Sequence, residues 1–275
     1  TDPAANNVSN RSTVIASGLF NPRGLAFGPD QNLYVANNGI SADEGQVVRI
    51  ALLSSTVVIP ASKDNTLYES DTGTLSNGAG ERFFAGVTEA GSGNLIRRGT
   101  LAFDVNSVIP GGATIVSAVL ELNMSRSVSA DKQVSLHKLE KDWGEGASNA
   151  TGEEGAGALA QSGDATWLHP LFDTTIWSTA GGDFESLVSA STVVGGIGRY
   201  SWSSEQMTSD VQAWVDGSES NFGWLLMGDE SGGASAKRFD SRENPEMANR
   251  PKLIVQYIAP LPEKAVFMPV VRAAE

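Results

Sequence analysis

The sequence predicts an all-β protein: a jelly-roll-like antiparallel β-sandwich with one short helix, a long aromatic loop and an N-terminal β-strand/hairpin extension. Three observations predict it. Apolar and polar residues alternate with period two through stretches such as "GATIVSAVLELNM", the pattern of a strand with one face on a core. The strand-like runs are short and bounded by Gly, Asn, Asp and Ser, which favour turns. Only one segment carries a helical apolar stripe with both a start and a stop signal.

In chain order, the first fifty residues hold four short strand-like pieces, "TVIASGL", "GLAFGP", "NLYVAN" and "QVVRI", with a turn over "GPDQN" (Gly28 to Asn32). From Thr56 to about Leu139 the strands lengthen. "IRRGTLAFDV" directs Leu101, Phe103 and Val105 one way, and "GATIVSAVLELNM" puts Val116, Ala118, Leu120, Leu122 and Met124 on one face. "QVSLHKLE" turns Val134 and Leu136 inward. Between Lys141 and about Leu187 the periodicity disappears, while Trp143, Trp167, His169, Phe172, Trp177 and Phe184 are scattered through Gly-rich and acidic sequence. Loops this long inside compact domains are uncommon, and they are often functional or self-packed. The aromatic content argues against plain disorder.

A helix is expected next. Ser203 and Gln206 fit a capping box, Met207, Val211, Trp214 and Val215 form its stripe, and Gly217 stops it. Strands "FGWLLMGD", "AKRFDS" and "PKLIVQYI" follow, then a Pro-bearing linker and the apolar tail "AVFMPVV". The chain therefore reads as an extension over 1–55, a sandwich over 56–258, and a linker with tail over 259–275.

A net charge of −13 over 275 residues repels nucleic acid and anionic membrane surfaces, so neither is an expected partner. No apolar run approaches a membrane span. The absence of Cys removes disulfides, thiol catalysis and Cys-based zinc sites. The polar opening "TDPAANN" is expected of a mature exported chain, placing the protein outside the cell or on its surface.

The central pieces "KDNTLYES", "SNGAGERFFAG", "RRGTLAFDV", "IPGGATIVSAVLEL", "DVQAWVDGSESNFGWLLMGDES", "AKRFDSREN" and "RPKLIVQY" resemble the DNRLRE-domain family of secreted or surface-attached prokaryotic β-sandwich modules. The match runs in the family's order over roughly Val57 to Tyr257. It implies a sandwich fold and an accessory role on surface proteins, and some relatives bind acidic polysaccharides. The opening "VIASGLFNPRGLAFGPDQNLYVAN" resembles instead one blade of NHL-type propeller proteins, in particular the secreted ScyD/ScyE-like group. A single blade cannot bury its own faces, and units of this kind need stacked neighbours.

No catalytic constellation emerges, and no enzyme is predicted. "GDESGG" is broken as a nucleophile motif by Glu230, His137 and His169 are the only histidines, and Glu153 and Glu154 lie in Gly-rich sequence that holds geometry poorly. Asp64, Asp71 and Asp104 are candidate Ca²⁺ ligands if they converge at one sandwich edge, against the alternative of an ordinary acidic surface. Arg238, Asp240 and Arg242 of "RFDSREN" alternate onto one strand face, as a polar ligand patch or a salt-bridge ladder. Arg238 and Arg242 could also make, with Arg97, Arg98, Lys237 and Arg250, a local basic patch on an acidic protein. Trp143, Trp167 and Trp177 could stack on sugars or pack the long loop onto the sandwich.

Two functions are expected from different classes. The first is an extracellular structural subunit of a self-assembling fibre, filament or layer, held by strand pairing of terminal segments. Its own copies are then its partners, and Leu25, Phe27, Leu33, Tyr34, Val35, Val266, Phe267 and Val270 are the assembly residues. The alternative is a carbohydrate-binding accessory module for a cell-surface or matrix polysaccharide, using Trp143, Trp167, Trp177, Arg238 and Arg242.

Overall fold

Alternating apolar residues and Gly-bounded turns become strands throughout the computed structural model, which describes residues 18–29, 32–38, 45–50, 54–88 and 95–260. The chain separates into two units, one of them spanning Ser55–Tyr257.

The smaller unit holds β1 (Gly24–Phe27), β2 (Leu33–Asn37) and β3 (Gln46–Ile50), an antiparallel sheet in that order. After β1, Gly28 N–H donates to the carbonyl of Asn32, which precedes β2, at 3.0 Å. Leu25 faces Val35 and Phe27 faces Leu33 across the first pair. Val35 faces Val48 and Leu33 faces Ile50 across the second. Directly opposed residues share a face, so one face of this sheet is apolar from edge to edge.

The larger unit is the sandwich. Its strands are β4 (Ser54–Tyr68), β5 (Leu75–Ser76), β6 (Arg82–Val87), β7 (Ile96–Phe103), β8 (Thr114–Ser127), β9 (Lys132–Leu139), β10 (Ala158–Leu159), β11 (Phe184–Val194), β12 (Gly198–Trp202), β13 (Trp224–Met227), β14 (Lys237–Asp240) and β15 (Lys252–Ile258). Among the described residues one α-helix, α1 (Glu205–Asp216), precedes β13, and a 3-10 turn (Met247–Asn249) precedes β15. One layer runs β11-β9-β13-β7, the other β15-β8-β14 with β12 also on β8. Two strands join the layers. β4 lies between β7 and β15, and β6 gives Arg82–Ala85 to β14 and then Gly86 and Val87 to β7. The six strands β7-β4-β15-β8-β14-β6 thereby close into a barrel-like ring, and closure removes edges from all six.

The inward residues form the main core: Leu101 and Phe103 of β7, Leu120, Leu122 and Met124 of β8, Val134 and Leu136 of β9, Trp224 and Leu226 of β13, and Phe239 of β14. Helix α1 adds Met207, Val211, Trp214 and Val215, the stripe expected from the sequence. Its N-cap is Ser204, whose hydroxyl accepts from Met207 N–H, and not Ser203. Gly217 at φ 67° provides the left-handed C-cap. Val116 also departs from expectation. It is 44 % exposed while Ile115 and Ala118 are buried, so the alternation of β8 changes phase at its start.

The long loop is a third layer. Its Trp143, Ala165, Trp167 and Trp177 pack with Leu67, Ala102, Leu139 and Leu225, which are the outward residues of β4, β7, β9 and β13. Buried polar groups fix its course. Asp164 accepts from the N–H groups of Ala147 and Gln161, both at 2.7 Å, and Asn65 donates to the Glu145 carbonyl at 2.8 Å. At Gly78 a Cβ would stand 1.6 Å from that carbonyl, so only glycine admits the loop there.

Candidate functional site

Three places merit attention, and each is built from different segments. The first is the apolar face of the small sheet. Leu33 and Val35 are buried on the central strand, but Leu25 and Phe27 on β1 are 51 % and 57 % exposed. Tyr34, on the opposite face, is half-buried. Strand β1 pairs only with β2 among the described residues, so its outer edge carries no strand there. Val266, Phe267 and Val270 lie outside the described residues.

The second place is an acidic cluster. Asp64 of β4, Glu145 of the long loop and Glu243 beyond β14 each bring a carboxylate oxygen within 4.8 Å of the others. Asp64 is buried and accepts from the Arg242 backbone N–H at 2.7 Å. The Arg242 guanidinium bonds Glu145 at 2.9 Å and Glu243 at 2.7 Å. Burial, then the Glu243 charge, raise the Asp64 carboxyl well above its usual range. Burial also raises Glu145 and Glu243. Three carboxylates against one guanidinium can share protons or offer oxygens to a hard cation.

The expected trio of Asp64, Asp71 and Asp104 does not assemble. The β4–β7 ladder runs from Ala61 opposite Phe103 to Tyr68 opposite Arg97. Asp104 follows one end of it and Asp71 the other, and both are exposed. Asp104 instead accepts from Ser107 N–H at 3.3 Å in its own turn. Glu145 carried no sequence signal, and Glu243 stood out only within the charged stretch "RFDSREN", because nothing local relates either position to Asp64.

Neither a family model nor a curated protein matches this chain.

The third place is a pocket of about 460 Å³ on the outer side of β6, β14 and β8, lined by Phe84, Arg97, Arg126, Val128, Glu153 and Arg238, among others. It collects Arg238 and Arg97 from the expected basic residues. The remainder disperse: Arg98 forks onto Glu230 with both bonds at 2.8 Å, Arg242 joins the acids, and Arg250 donates to the Asn244 carbonyl at 2.7 Å. Lys237 is fully buried, its ammonium donating to Ser127 Oγ and the Ala130 carbonyl at 2.7 Å each. Asp240 accepts from Asn123 at 2.7 Å. Since β14 ends at Asp240, Arg238 and Arg242 do not form one ladder and belong to different sites.

The three tryptophans do not present ring faces to solvent. Trp143, Trp167 and Trp177 are 1 %, 8 % and 3 % exposed. Trp143 donates to the Phe222 carbonyl and Trp177 to the Thr166 carbonyl, each at 2.9 Å. Lys63 lies 4.6 Å above the Trp143 ring and Arg98 5.0 Å above that of Trp167. The two histidines are likewise engaged, His137 with Ser135 and Glu185, His169 with Thr166. No helix among the described residues is long and apolar enough to cross a membrane.

Proposed function

We propose that this chain is an extracellular structural subunit that assembles with copies of itself by β-strand pairing through its terminal segments. The observation that carries the reading is the small sheet, whose apolar face runs out to an exposed Leu25 and Phe27 on a strand whose outer edge carries no strand among the described residues. A sheet of three short strands cannot enclose a core by itself. Unpaired edge groups are a template for another strand, and an added strand supplies main-chain hydrogen bonds together with a cover for apolar side chains. The likeness of this stretch to one propeller blade supports the same reading, since a blade buries its faces only against neighbours.

The alternative, a carbohydrate-binding accessory module, drew on Trp143, Trp167 and Trp177 for stacking and on Arg238 and Arg242, which the fold separates into different sites. Burial of the three tryptophans leaves no stacking platform at those positions, so assembly is the preferred function.

Sedimentation velocity and negative-stain electron microscopy of the full chain test it, beside a Leu25→Asp/Phe27→Asp variant. Both positions are exposed, so the variant keeps its sandwich. Fully burying such a side chain is worth about 1.5–3 kcal/mol. Each is already about half covered, so the pair together contributes about that much, and its loss should weaken subunit contacts by at least about tenfold. The parent should form concentration-dependent polymers and the variant should remain dispersed. A parent that stays monomeric at every concentration sinks the proposal.

A further inference from the structure

The pocket on β6, β14 and β8 has an electrostatic arrangement that neither the fold nor assembly requires. Arg238 stands directly opposite Arg126 across the antiparallel β14–β8 pair, and opposite Phe84 across the β14–β6 pair. Like charges directly opposed on neighbouring strands are destabilising. The two guanidiniums are held together by one carboxylate. Glu153 Oε2 lies 2.7 Å from Arg126 and also accepts from Arg238.

That carboxylate is a guest from the long loop and not part of the sheet. The Glu153 side chain is 68 % exposed, against 13 % for Arg238. Its neighbours fix the loop without it. Glu154 is buried and accepts from the Arg82 guanidinium at 2.8 Å and from Asn77 at 2.9 Å. Gly152 and Glu154 take left-handed backbone at φ 68° and 64°, so the turn presents Glu153 outward over the arginines. Arg97 adds a third guanidinium to the lining, steadied by a bond from its Nε to the Gly155 carbonyl at 3.2 Å and by the Tyr68 ring at 4.9 Å. The walls between these groups are apolar, with Phe84, Val128 and Ala236. The pocket lining thus holds three cationic groups and one carboxylate on a protein whose net charge is −13.

We infer that this pocket binds an organic carboxylate, whose oxygens replace those of Glu153 between Arg126 and Arg238 while its apolar body rests against Phe84 and Val128. Guanidinium groups take carboxylates with directed, paired hydrogen bonds, and the volume lies in the range of small-molecule sites. Glu153 is then an internal competitor: it neutralises the arginine pair in the free protein and swings into solvent when the ligand enters. This inference goes beyond the assembly proposal and does not depend on it.

Calorimetric titration of the full chain tests it with benzoate and glucuronate, two sources of the same chemistry, and with inorganic phosphate as the control anion. Saturable binding of either carboxylate is expected. Benzoate alone assigns a free aromatic acid, glucuronate alone a sugar-borne acid, and both together the carboxylate itself. Glu153→Gln removes the competitor and should tighten binding about fivefold or more. Arg126→Gln, at an exposed position that the fold tolerates, should weaken binding about tenfold in the parent and in the Glu153→Gln background. The inference is overturned if Glu153→Gln binds neither carboxylate, if Arg126→Gln leaves affinity unchanged, or if phosphate binds as tightly as the carboxylates.

Discussion

Asp64 shows how a single buried charge can be read as a stability lever. Its folded pKa is raised by burial and by the charges of Glu243 and Glu145, so the unfolded chain gives up this proton at lower pH than the fold does. Above the folded pKa the fold carries the whole cost of the buried carboxylate. As pH falls through that value the fold takes up a proton and the cost is relieved. The group's favourable contribution is therefore present in acid and lost as pH rises. Asp64→Asn keeps an acceptor for the Arg242 N–H and removes the charge. It should stabilise the protein by on the order of 1 kcal/mol near neutral pH, and the gain should shrink toward about pH 4, where an unperturbed Asp is itself half protonated. Urea denaturation at the two pH values measures this, and a variant less stable than the parent at neutral pH refutes it. Residues of this kind are the least legible in a sequence. Asp64 was singled out for its type, but its partners Glu145 and Glu243 come from other segments, and chain-wide contacts have no local pattern. Leu120, Leu122 and Met124 were legible because alternation alone places them.

At the scale of elements, legibility followed periodicity. Strands β7, β8, β9 and helix α1 each carry a repeat that names their buried face, and errors were confined to ends: Val116 where β8 changes phase, Ser203 where the cap falls one residue later. The long loop carries no repeat, because its course is set by buried acceptors such as Asp164 and by glycines that permit close approach. Its tryptophans could therefore be read equally as ligand platforms or as packing. The structure gives them packing, and a mutation separates the two readings in solution. Trp143 is 1 % exposed and sits in the cluster that mounts the loop on the outer face of the sheet. Trp143→Ala should cost about 3–5 kcal/mol, read as a lower denaturant midpoint. Parent-like stability together with a lost interaction with glycans would instead restore the ligand reading.

For the molecule as a whole, ring closure was the feature least available to sequence reasoning. It depends on β6 pairing with β14 through Arg82–Ala85 and with β7 through Gly86 and Val87, a division that alternation does not encode. Closure also narrows where assembly can occur, since the open edges left among the described strands are those of the small sheet, the short β5–β10 pair, β11 and β12. Each subunit brings a charge of −13 to any such contact. Long-range repulsion then opposes association, while the strand pairing and apolar cover that drive it are short-ranged and insensitive to salt. Screening lengths fall from about 30 Å at 0.01 M to about 8 Å at 0.15 M ionic strength. Polymerisation, followed by light scattering, should therefore accelerate over that interval. Carboxylate binding at the arginine pair should weaken over the same interval, because there the attraction itself is screened. Opposite salt responses in one preparation would separate an apolar assembly contact from a charged ligand site. Polymerisation that slows with added salt would show that the subunits are held by ion pairs, and would remove Leu25 and Phe27 from the contact.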